Sequence, residues 1–200
     1  MTGNAEELEL KDRLSLIETM IAEGRRTTAS WGWVFVLWGL AYYIAIAWDN
    51  WGGHSPWAWP VTMTATFALT AALSMRQVAI RPRTTISRAI ASVWIAMGIS
   101  MFVLFMSLGI SGRLADEHGF VAVVAAMLGT ANATSGMILK WKMQLACALV
   151  WWTLTGYACF AQGKQLTFAY LAAIFFCQIV FGIYGMIMEA RMRTQGAVHA

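Results

Sequence analysis

Six long apolar runs, none containing Asp, Glu, Lys or Arg, constrain this chain more than any other feature. They cover residues 30–48, 57–75, 89–110, 120–139, 143–161 and 166–188. The hydrocarbon core of a bilayer is about 30 Å thick, so a helix crosses it in roughly 20 apolar residues. A helix on the surface of a soluble core carries polar residues along its outer face, and these runs do not. Strands of a membrane barrel are about 10 residues long with strict alternation, which these runs also lack. The composition agrees: 59% of residues are hydrophobic and 12% charged, against roughly half and a quarter in soluble domains. The expected fold is all-α: a polytopic membrane protein with six transmembrane helices as three antiparallel hairpins. No signal peptide is expected, because residues 1–29 are charged along their length rather than basic and then apolar.

The formal charge of +4 suggests a nucleic-acid partner only until the charges are placed. With the N-terminus inside, twelve of the fourteen basic residues fall on the inner side. They are Lys11, Arg13, Arg25 and Arg26, then Arg76, Arg81, Arg83 and Arg88, then Lys140 and Lys142, and finally Arg191 and Arg193. Only Arg113 and Lys164 fall outside. Inner loops retain Lys and Arg during insertion, so this split sets the orientation, with both termini cytoplasmic. The basic balance is a topology signal, and no nucleic-acid partner is expected. The expected location is a bacterial inner (plasma) membrane. Trp31, Trp33 and Trp141 at inner ends, with Trp48, Trp51, Trp57 and Trp59 around the first outer loop, read as interfacial anchors.

Residues 1–29 form a separate region, followed by the membrane domain at 30–188 and a cytoplasmic tail at 189–200. Asn4 and Glu7 have capping-box spacing. Leu10, Leu14, Ile17 and Ile21 recur at intervals of four, three and four, giving a cytoplasmic amphipathic helix with one apolar seam. A helix lying on anionic lipid is rich in Lys and Arg. This one carries Glu6, Glu7, Glu9, Asp12, Glu18 and Glu23 against Lys11 and Arg13 before the Arg25–Arg26 pair. Its expected contact is therefore protein: its own bundle, a second copy in a homo-oligomer, or a cytoplasmic partner reached through residues 4–26.

No Asp, Glu, Lys, Arg or His lies inside the runs, which argues against a carboxylate proton relay or haem ligation by intramembrane histidine. Neutral polarity remains near mid-depth. Thr66, Asn132, Gln178, Trp151 and Trp152 all fall within about one turn of the midplane. They form a candidate polar pocket, with amides to orient a small neutral or aromatic ligand and indoles as walls. The competing reading is packing: small residues such as Gly129 and Gly136 allow close approach, while the amides bond across helices and the threonine hydroxyls bond their own backbone. Asp49, His54, Asp116, Glu117 and His118 include metal-ligating types, but their spacing matches no ligand signature, so a solvated loop and no metal is expected. Cys147, Cys159 and Cys177 sit at different expected depths and read as small packing residues. The arginines at 76–88, with Pro82, serve topology, and contact with lipid phosphates is a second use.

Hydrolase, metalloprotease and nucleotide-binding motifs are absent. Neither catalysis nor a cofactor is expected. Two function classes follow: a regulatory, accessory or interaction subunit that uses its N-terminal helix, or a small transporter or channel for an uncharged or aromatic solute.

Overall fold

The computed structural model describes residues 2–51, 55, 57–78, 85–111, 117–161 and 164–198. Every apolar run is helical, and no strand occurs among the described residues. The elements are α1 Thr2–Ala29, α2 Gly32–Trp51, α3 Ala58–Val78, α4 Thr85–Ser111, α5 Glu117–Ile138, α6 Lys142–Ala158, α7 Lys164–Ile174 and α8 Phe181–Val198. A π-helical turn, Phe175–Val180, joins α7 to α8 without a break.

Four helical segments are long and apolar enough to cross a membrane: Gly32–Trp51, Thr85–Leu108, His118–Ile138 and Lys164–Arg191. The remaining two apolar runs fall short of that standard for separate reasons. Helix α6 has 17 residues, about 26 Å at the rise of an α-helix, which is less than the hydrocarbon thickness. Helix α3 has its apolar balance reduced by Thr62, Thr64, Thr66, Thr70 and Ser74. Large apolar side chains are exposed on every helix from α2 to α8, among them Ile44, Phe67, Ile99, Leu149, Phe168 and Ile187. A soluble monomer rarely displays apolar surface of that extent, so a membrane protein is the class that this architecture suits.

The tightest pairing is the α5–α6 hairpin; α2 packs on α3 on one side and on α8 with the π turn on the other, and α4 rests on α5 and on α1. At the α2–α8 crossing the backbones touch. A Cβ on Gly32 would collide with the Gly182 carbonyl, and one on Gly182 would lie 2.6 Å from the Gly32 carbonyl. Only glycine allows that approach, which is how helices associate in lipid without a hydrophobic drive between them.

Several local expectations change. Helix α1 already includes Thr2, so Asn4 lies within the helix and not at the flanking cap position. Helix ends commonly differ by a residue or two, because only weak local terms set them. Trp141 is buried against Phe181 and Tyr184, and Trp59 stacks on Phe105. These two indoles are packing residues, whereas Trp51 and Trp57 are well exposed, as anchors are. Helix α8 continues to Val198, so the described part of the tail is helical. His54, Pro56, Arg81, Pro82, Arg83, Arg113, Asp116 and His199 lie outside the described residues.

Candidate functional site

The distal part of α1 leaves most of its apolar seam exposed. Leu10, Leu14 and Ile17 are 60%, 53% and 53% exposed, while Ile21 is half-buried. Two ion pairs brace the flank, Lys11 with Glu7 at 2.7 Å and Arg13 with Glu9 at 2.5 Å. Exposed pairs of this kind contribute only about 0.3–0.5 kcal/mol each. From Gly24 onward the same helix enters the bundle. A Cβ at Gly24 would lie 2.7 Å from Ile86 and 2.9 Å from Leu139, and Thr28 and Ala29 are buried.

Arg25 holds this junction in place. Helix α5 ends in a Schellman arrangement: the Trp141 amide donates to the Gly136 carbonyl at 2.8 Å and the Lys140 amide to Met137 at 3.3 Å. Lys140 takes the left-handed conformation, φ 50°, where glycine is usual. The next two carbonyls of that turn accept from the guanidinium of Arg25, Leu139 from Nε at 2.6 Å and Lys140 from Nη2 at 2.7 Å. A cation at a helix C-terminus also meets the negative end of the helix dipole. An arginine counted above only as a topology signal is thus a clamp between α1 and the α5–α6 turn. Nothing in the local pattern around Arg25 announces this contact.

The five midplane residues have different surroundings. Thr66 is buried and donates to the Thr62 carbonyl of its own helix at 2.7 Å. Asn132 is fully buried; its Nδ2 donates to Leu128 of its own helix at 2.9 Å, and its Oδ1 has no partner. Trp151 is fully buried edge-on to Tyr170, with its Nε1 unpartnered. Trp152 is 45% exposed and lies across Gly129, where a Cβ would collide with the indole. Gln178 alone among the five lines the large groove described next.

That groove, of about 1710 Å³, has walls from α3 and α4, with α2, α5, α7 and the π turn also contributing to its lining. It runs from Thr28 and Ser87 at one end to Asp49 and Trp57 at the other. Phe35, Tyr42 and Gln178 are buried lining residues, while Phe67, Ile99 and Phe102 line it and are exposed, so it opens sideways onto the apolar surface. Rings bridge its walls: Trp59 stacks on Phe105 at 5.9 Å, Phe105 meets Phe120 at 4.9 Å, and Phe67 meets Phe102 at 6.4 Å. Aromatic residues on α2, α3 and α4 make this feature, and only their abundance was visible beforehand.

Elsewhere the chemistry is sparse. Among the described residues no three His, Cys, Asp or Glu side chains group as a metal site. The His118 Nε2 bonds the Ala161 carbonyl at 2.9 Å, tying the start of α5 to the segment that follows α6, and the Glu117 side chain lies outside what is described. Cys147 and Cys177 differ from expectation: they are neighbours, with the Cys177 thiol donating to the Cys147 carbonyl at 3.8 Å. The antiparallel packing of α6 against the π turn brings them level. The buried Gln144 amide has no hydrogen-bond partner at either end.

Together the fold and these features describe an all-helical protein, four of whose helices are long and apolar enough to cross a membrane. Compared with family models, with curated proteins and with solved structures, the chain matches none of them.

Proposed function

We propose that this chain is an integral membrane protein with six spans in three hairpins and both termini cytoplasmic, acting as a regulatory, accessory or interaction subunit. Its working element is α1. The observation that carries this reading is the exposed seam of Leu10, Leu14 and Ile17 on a helix anchored at its base by Arg25. A seam exposed in the single chain has apolar surface to bury against a second copy or a cytoplasmic protein. Anchoring the base means that contact at the seam bears directly on the α5–α6 turn.

The test is the double substitution Leu14→Glu with Ile17→Glu, in full-length protein extracted in detergent. Oligomeric mass or recovery of a co-purifying protein is expected to fall, while thermal unfolding stays unchanged because both positions are exposed. Unchanged mass and unchanged partner recovery sink this reading.

The groove favours a second reading, a small transporter or channel for an uncharged or aromatic solute. Gln178 supplies a polar group within otherwise mostly apolar walls, as orienting groups do in ligand pockets. Solute flux into liposomes containing the protein discriminates this reading from the first.

A further inference from the structure

The α3–α4 groove combines three properties that a pocket for a small solute does not need. It is larger than the roughly 300–1,000 Å³ of typical small-molecule sites. It runs the length of the helices and opens sideways at exposed apolar residues, so a molecule can enter it from the bilayer. Its two ends also differ in charge. Met75 and Ser87 line one end and are followed directly in sequence by the exposed Arg76 and Arg88, whereas Asp49 lines the other end.

We propose that this groove binds one anionic membrane lipid, with an acyl chain along the aromatic walls and the headgroup phosphate at Arg76 and Arg88. The proposal rests on reading the apolar helices as membrane spans. Charge complementarity decides the direction of the lipid: a phosphate is attracted at the arginine end. Basic side chains at a membrane surface each favour an anionic headgroup by about five-fold, so two give about 25-fold over a zwitterionic lipid.

Gly98 supplies a selective test, because it lines the groove and a Cβ added there meets no atom within 4 Å. Gly98→Phe therefore fills the groove without a clash at Cβ. Full-length protein in detergent is titrated with phosphatidylglycerol or phosphatidylcholine and followed by native mass spectrometry and thermal unfolding. Wild type is expected to retain one phosphatidylglycerol and to unfold at higher temperature with it. Gly98→Phe loses that adduct while keeping its lipid-free unfolding temperature. Arg76→Gln with Arg88→Gln, both on exposed positions, loses the preference for phosphatidylglycerol over phosphatidylcholine. Equal retention of the two lipids by wild type overturns the proposal, as does an adduct that survives Gly98→Phe. Stabilisation by indole without a phosphatidylglycerol adduct overturns it in favour of a solute. Release of wild-type protein from membranes by alkaline carbonate is a separate result, and it rejects the membrane reading itself.

Discussion

Lys140 and Gln144 sit four residues apart, and each carries a cost that its surroundings tolerate. Lys140 occupies the left-handed region at the end of α5, where an L side chain costs about 1–2 kcal/mol. Lys140→Gly is therefore expected to stabilise the protein by about 1 kcal/mol in detergent unfolding, since glycine meets no penalty at that position. Gln144 is fully buried with both amide atoms unpartnered. An unpaired buried polar group costs about 1–3 kcal/mol, whereas an apolar side chain of similar shape costs little. Gln144→Met should raise the unfolding temperature, and a fall would show that the amide has a polar partner in the membrane. Neither cost is legible in the sequence: a lysine after an apolar run reads as topology, and a glutamine near a helix start reads as exposed.

At the scale of elements, α1 and the α5–α6 hairpin act together through Arg25. Replacing Arg25 with Ala removes two charged hydrogen bonds to backbone carbonyls, and a loss of about 1.5–3 kcal/mol is expected. Arg25→Lys should recover only part of it, because an ammonium cannot match the planar two-pronged donor. The readout is thermal unfolding together with hydrogen exchange at 139–142, which should quicken in the Ala variant. The periodicity of α1 was readable because Leu10, Leu14, Ile17 and Ile21 are local in sequence. The clamp was not, because its partners lie 114 and 115 residues away. The π turn presents the same contrast. Cys177 and Gln178 are consecutive, yet both are buried, which the wider turn accommodates and which no apolar pattern within 166–188 signals.

For the whole molecule, the six-span arrangement predicts that reporter fusions at the N-terminus, after residue 140 and at the C-terminus share one side of the membrane. Fusions near residues 53 and 114 should report the opposite side. An α6 that lies within the bundle without crossing would place the fusions at 140 and 161 on the same side, and that result would reject six spans. The short α6 is the element on which the arrangement turns. It is also half of the tightest hairpin, where Gly136 lies against Leu145 and Gly129 against Trp152, so its placement follows α5 more than its own length.

Residue type and order alone determined where the helices lie, which surfaces stay apolar and how the charges divide. These depend on runs and periods within one segment, and burial energy scales with such local apolar content. Tertiary structure alone decided which side chains meet. It separated Thr66, Asn132, Trp151 and Trp152 from the groove that Gln178 lines, brought Cys147 beside Cys177, and set Arg25 on the end of α5. Helices that are apolar nearly all round can pack in many rotations with similar burial. The choice among them falls to a few close contacts, above all the glycine crossing of Gly32 with Gly182, and those exist only once distant segments have come together.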